Sequence, residues 1–330
     1  MDGTQRRREL QSIALGGTAG LVYGLILRLY IAFHAQNSVI PVMSVAFLVI
    51  VPLVVGYLSV YSSERIKRQS WFFWLFFPWM PIFASCIVMA ALLWEGFICI
   101  VMFLPLGMTL ATIGGVLGGF AARSHRTRTS NAILGCVLLL PLAVGSVERQ
   151  IPPANAIRTV ETSIDIHAEA PIVWTNIERV PAIKSTELSP SWSHRIGFPD
   201  PIEATLSDEG IGGIRHATFR GQVLFIETID VWEPGQRLAF SIHPDAEHIP
   251  ETTFDEHVKV GGQYFDVLRG EYRLEPLPGG VVRLHLSSQH RVSTKFNWYA
   301  QLWTDWFMKD IQATILRVIK NRCEAAKLQP

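Results

Sequence analysis

The distribution of apolar positions divides the chain in two. In the first half, apolar residues come in unbroken runs at about 13–33, 39–61, 71–93 and 97–122, with a shorter run at 131–147. A helix needs roughly 20 residues to cross a hydrocarbon core of about 30 Å, so the first four runs predict membrane spans and the fifth is marginal. The first run is too long and too glycine-rich for a signal-peptide core and no A-x-A site follows it, so it reads as a retained span. Beyond "ERQIPPANAIR" (148–158), a linker in which Pro152 and Pro153 stop any helix, the pattern changes to period two. "TVETSIDIHA", "IEATLSD", "GIRHATFRG", "VLFIETIDVWE", "RLAFSIH", "YFDVLRGEYRLEPL" and "VVRLHLSSQHRV" predict strands, the last two joined across Pro278-Gly279-Gly280. "PIVWTNIERV" (171–180) predicts a short helix. Residues 296–326 predict one long amphipathic helix, with Tyr299, Trp303, Phe307, Ile311, Ile315 and Val318 near one face. The expected organisation is a transmembrane helical domain over 1–147, a linker over 148–158 and an α+β domain over 159–326.

Charge sharpens this division. Residues 1–150 hold 11 Lys and Arg against 5 Asp and Glu, whereas residues 151–330 hold 18 against 23. Nine basic residues (Arg6, Arg7, Arg8, Arg65, Lys67, Arg68, Arg123, Arg126 and Arg128) fall on one side of the predicted spans. The opposite loops, "HAQNS" and "WEG", carry none. The positive-inside rule puts the N-terminus in the cytoplasm. With five spans the polar half is extracytoplasmic; with four it is cytoplasmic. The basic loop before residues 131–147 favours the crossing, and hence an integral protein of the plasma (inner) membrane with its C-terminal domain outside. Neither half has the basic footprint of a nucleic-acid binder. Gly16, Gly20 and Gly24 recur every four residues, as do Gly114/Gly118 and Gly115/Gly119. Such strips let helix backbones approach, either within one chain or across a homodimer through the Gly16–Gly20–Gly24 face.

The order of elements in the polar half resembles the SRPBCC superfamily, the START or birch-allergen-like helix-grip fold. The similarity is greatest to its polyketide cyclase/dehydrase-like branch. "GIGGIRHATFRGQVLFIETIDVWEPGQRLAFSI" (210–242) and "SIDIHAEAPIVW" carry the resemblance. It implies an antiparallel sheet wrapped around a long C-terminal helix, with a cavity between them. Its members include enzymes, lipid carriers and ligand sensors, so fold alone does not choose a function.

Strict alternation names the candidate lining. Leu284, Leu286 and His290 share the apolar face of their strand, and Phe225, Glu227 and Ile229 share that of theirs. With Tyr299, Trp303 and Phe307 of the helix, these predict a site for a hydrophobic small molecule or lipid. Glu227 and His290 are the weak catalytic candidates, as an inward acid/base pair. Trp298, Trp303 and Trp306 cannot all face one narrow stripe: core packing explains one or two, and two readings stay open for the set, core packing alone or a remainder that contacts the bilayer surface or rims the cavity. There is no G-x-S-x-G, no P-loop and no Cys/His spacing for zinc, and no cofactor is implied. His243, His248 and His257, with Asp245, Glu247, Asp255 and Glu256, are spaced as in a solvated loop or lid rather than a metal site. The leading reading is membrane-tethered binding or transfer of a hydrophobic molecule, since few inward groups remain for chemistry. A cyclase/dehydratase-like enzyme, or a structural partner of another membrane protein, are the alternatives.

Overall fold

The computed structural model describes residues 3–33, 41–124, 127–245 and 259–326. The chain forms two compact units, Met1–Pro153 and Ala154–Pro330, which meet inside the predicted linker. That linker is shorter than its composition suggests. Helix α6 runs to Glu148, and the first strand already begins at Ala156.

The first unit is helical: α1 (Gly3–Phe33), a π-helical turn (Ala46–Ile50) leading into α2 (Val51–Ile66), α3 (Trp71–Phe76), α4 (Trp79–Ala91), α5 (Phe97–Arg123) and α6 (Thr127–Glu148). Four stretches, Thr4–Phe33, Ala46–Ile66, Trp71–Ala91 and Phe97–Arg123, are long and apolar enough to cross a membrane, while Ala132–Glu148 is a shorter apolar helix. Outward positions such as Val22, Phe72, Ile87 and Leu117 are exposed although apolar, which is compatible with a membrane setting.

Glycine sets the helix spacing. A Cβ on Gly56 would run into the Ala111 carbonyl, one on Gly114 into that of Leu53, and one on Gly118 into that of Tyr57. The α2–α5 backbones therefore touch directly. The Gly16–Gly20–Gly24 face packs against Ser59, Ser63 and Val55 of α2 in the same chain, so the strip is already covered within the protomer.

Ion pairs close both ends of this unit. Arg28 Nε donates to Glu95 at 2.9 Å, with both side chains under 10% exposed, and Arg28 Nη2 donates to the Trp94 carbonyl. Arg28 is thus neutralised by a partner rather than reaching for water. At the other end Arg123 donates to Glu64 at 2.7 Å and to the Gln69 carbonyl, and stacks over Trp74. Glu148, buried at the end of α6, accepts the amides of Val45 and Ala46 at 2.7 and 2.9 Å. From another helix, it caps the start of the π-helical turn that leads into α2.

The second unit is one seven-stranded antiparallel sheet. Its strands are β1 (Ala156–Ile166), β2 (Pro201–Leu206), β3 (Ile214–Phe219), β4 (Val223–Glu233), β5 (Arg237–Pro244), β6 (Phe265–Leu277) and β7 (Val281–Val292), in the order β1-β7-β6-β5-β4-β3-β2. Helices α7 (Ala170–Glu178) and α8 (Trp192–Arg195) separate β1 from β2, and α9 (Asn297–Ala326) lies against β1, β7 and α7. Gly279 and Gly280 turn β6 into β7 with φ of 86° and 72°, a region open to glycine at little steric cost. Bulges at Ile229/Val231 and Val267/Arg269 sharpen the curl of the sheet. A curled antiparallel sheet gripping one C-terminal helix is the helix-grip fold.

Candidate functional site

The face of the sheet turned to α9 is apolar in two clusters. One holds Ile166, Trp174, Ile229, Leu284, Leu286, Leu316 and Ile319; the other holds Phe219, Phe225, Val267 and Met308, with Phe265 packed against it. Polar groups enter this face at three places.

The first is an ion pair. Arg215 on β3 stands directly opposite Glu227 on β4, and its Nη1 donates to the Glu227 carboxylate. Arg215 is 3% exposed and Glu227 6%. The Tyr272 hydroxyl adjoins Arg215, and the Phe240 ring lies 5.4 Å from the guanidinium carbon. Burial pushes the Glu227 carboxyl up, against the pull of the Arg215 guanidinium.

The second is Gln312 of α9, 1% exposed. Its amide donates to the Val160 carbonyl at 3.0 Å and to Ser288 Oγ at 2.9 Å, and its oxygen accepts from Thr162 at 2.8 Å. Every polar atom of this side chain is used, so it locks α9 onto β1 and β7.

The third is His290, with no exposed surface. Its Nε2 lies 3.3 Å from Thr304 Oγ1 and 3.5 Å from Asp305, and its ring is 5.7 Å from that of Phe265. The Thr304 hydroxyl donates to the Gln301 carbonyl, so its oxygen is left to accept from Nε2–H. That leaves Nδ1 as a bare acceptor, and among the described residues nothing meets it. Burial lowers the His290 pKa; Asp305 raises it and Arg158 lowers it further. The folded chain therefore refuses a proton that the unfolded chain accepts near pH 6.5. Stability falls as the pH drops below that value. A His290→Gln variant is expected to show a shallower loss of melting temperature between pH 7 and 5 than the wild type. Equal slopes in thermal melts would contradict this assignment.

The sequence-predicted residues do not form one site. Ile229, Leu284 and Leu286 belong to the core cluster with Leu316 and Ile319. Phe225 lies in the second cluster. Tyr299, Trp303 and Phe307 are half-buried on the first turns of α9, where Trp192 stacks on Trp306 at 3.3 Å between ring centres and lies 4.8 Å from Phe307. Ser191 and Ser193 hold Trp192 there: their hydroxyls and the Ser193 amide all donate to Asp310. Burial alone raises the Asp310 pKa, but these three donors hold its carboxyl below the usual range. Glu227 and His290 both point inward as alternation requires, yet they do not make an acid/base pair. They sit on β4 and β7, three strand spacings apart or about 14 Å along the sheet, and each has its own partners. Sequence reasoning missed Arg215 and Gln312. Arg215 alternates with Ala217 and Phe219 on the apolar face of β3, a usable signal; Gln312 gives none. Among the described residues no group of three His, Cys, Asp or Glu is placed to hold a metal ion. The candidate lid residues His248, Glu247, Asp255, Glu256 and His257 lie outside the described residues.

Solved structures similar to the second unit include an aromatase/cyclase, Zhui, from Streptomyces sp. R1128 (15% identity, 52% of this chain and 96% of that one, TM-score 0.32). A START superfamily protein from Mycobacterium smegmatis is similar over 51% of this chain and 98% of its own (8% identity, TM-score 0.34). A conserved protein from Geobacillus kaustophilus is similar over 51% and 97% (14% identity, TM-score 0.34). No family model and no curated protein matches the chain. The helix-grip assignment itself rests on strand order, register and the placement of α9.

Proposed function

We propose that this is a membrane-anchored binding or transfer protein for a hydrophobic small molecule or lipid, held between the sheet and the first turns of α9. The observation that carries the reading is His290: a fully buried imidazole with a free acceptor, on a strand position opposite Val267 and with the Phe265 ring beside it. Buried polar atoms are almost always paired, and a ligand with a hydroxyl or amide donor on an apolar body would satisfy this one. Its apolar part would contribute about 25 cal/mol per Å² buried, less the cost of association.

The proposed topology has the N-terminus in the cytoplasm and the second unit on the opposite side. Its support lies inside the helical unit. Glu148, at the end of α6, binds the amides that open the π-helical turn before α2, while the basic Arg65, Lys67 and Arg68 lie at the far end of α2. Midway, Tyr23 donates to the Leu138 carbonyl. A helix that follows Arg123 and ends beside Ala46 runs the length of α2, which is what a fifth crossing requires.

Native mass spectrometry of the full chain released from mild detergent is expected to show a retained hydrophobic molecule, lost or weakened about tenfold in His290→Leu. Absence of any retained species, together with no saturable binding across fluorescent lipid and sterol panels, overturns the binding reading. Turnover of an added polyketide-like substrate would favour the enzyme instead. A reporter fused after Pro330 that works only in the cytoplasm overturns the fifth crossing.

A further inference from the structure

We propose that Trp298, Leu302 and Trp306 form a docking surface that lies in the headgroup layer of the bilayer. These residues recur every four positions on α9 and are 62%, 65% and 47% exposed. The opposite side of the same turns is buried through Ala300, Met308 and Ile311. An amphipathic helix should present polar residues outward, and three large apolar side chains in one outward row mark a contact surface.

The fold also says what covers that row. Asn297 Nδ2 donates to the Ala154 carbonyl at 2.7 Å, and Ser293 Oγ donates to Asn155 at 2.6 Å. The first turn of α9 is thus pinned to the first residues of the second unit. Ala154 is only six residues beyond Glu148, where the last apolar helix ends. Fully extended, six residues reach at most about 21 Å. Trp298 is therefore tethered close to the membrane surface. Ile157, in the second unit and 60% exposed, adds apolar area near the start of that unit. Tryptophan suits the interfacial layer, where its ring is apolar and its N–H stays wet. The second half of the chain is acidic, with 23 Asp and Glu against 18 Lys and Arg over residues 151–330, so attraction to anionic lipid is not the driving force. Apolar burial is, and the tether keeps the effective concentration high enough for a small surface to suffice. The inference rests on the membrane-anchored reading above. It adds that the aromatic cluster of Trp192, Trp306 and Phe307 at the start of α9 is held at the lipid surface.

The test uses the full chain in phosphatidylcholine nanodiscs, with Cys136 replaced by serine and Leu302→Cys labelled with an environment-sensitive fluorophore. A second chain labelled at Glu209→Cys serves as the water-exposed control, and the parent chain gives the background. The label at 302 is expected to emit at shorter wavelength and to be quenched at least threefold more by shallow spin-labelled lipid than the label at 209. Trp298→Ser should reduce that quenching by half or more. Equal quenching at 302 and 209, or quenching unchanged by Trp298→Ser, overturns the proposal. So does a blue shift that disappears on dilution with unlabelled chain, which would assign the surface to a second copy. Failure of the chain to enter nanodiscs at all would instead overturn the anchoring.

Discussion

Glu227→Ala is expected to cost the second unit about 3–5 kcal/mol, because it strands a guanidinium inside the sheet. Arg215 is 3% exposed and cannot deprotonate, and among the described residues Glu227 is the carboxylate that answers its charge, with the Tyr272 hydroxyl and the Phe240 ring beside it. Against a typical domain stability of 5–15 kcal/mol, that loss should lower the thermal midpoint by roughly 10 °C or more. The reverse change, Arg215→Leu, should be milder, because a stranded carboxyl can take up a proton. The sign of its pH dependence follows. Burial already raises the Glu227 pKa above 4.5, and removing the guanidinium raises it further. The folded variant then holds a proton that the unfolded chain releases, so Arg215→Leu should be more stable at pH 5 than at pH 7. Replacing both residues by leucine should restore most of the loss. Thermal melts of the three variants decide the matter: a single Glu227→Ala variant melting within 2 °C of the wild type would show that the pair contributes nothing.

Alternation alone was enough to read β7, because that strand pairs with β1 without a break, the bulge in its pairing with β6 falls on β6, and its own inward row runs unbroken from Val282 to Val292. It was enough for Glu227 as well, but not for the end of the same strand. Sequence spacing puts Val231 on the inner face. The bulge at Ile229/Val231 inserts a residue there, and Trp232 packs against the core beside Trp174 instead, with ring centres 5.1 Å apart. A bulge depends on the partner strand, so a single strand's pattern cannot show it.

The site was harder to read than the fold for a related reason. Leu284 and Phe225 look equivalent in sequence, since both are apolar, inward and mid-strand. What separates them is which part of α9 lies above: Leu316 and Ile319 over the first, Met308 over the second. That depends on how a 30-residue helix crosses the curled sheet, which no local pattern encodes. The long apolar runs, by contrast, mark candidate spans from composition alone, whereas the contacts that bear on the fifth, from Glu148 to the turn before α2 and from Tyr23 to Leu138, join residues far apart in the chain.

Gly114→Leu is expected to abolish the folded helical unit. A Cβ at this position meets the Leu53 carbonyl and the Tyr57 amide, both backbone atoms of α2. A flexible side chain could rotate away, but a helix backbone cannot shift without moving its whole length. The seam is also repeated: Gly56 against Ala111 and Gly118 against Tyr57 lie on the same contact. Prising α2 from α5 at one point loses close packing along the row, and in lipid that packing is the main force holding helices together. Overpacking by one side chain costs about 1–3 kcal/mol in an adaptable core, and this seam is less adaptable than most. In mild detergent the variant should lose its monodisperse elution peak, or melt at least 10 °C below the wild type. Gly114→Ala should lie between the two. Gly135→Leu on α6, where nothing lies within 4 Å of an added Cβ, should behave as wild type and so separates a seam effect from a general cost of replacing glycine. A monodisperse Gly114→Leu protein with an unchanged midpoint would mean that α2 and α5 are not in backbone contact.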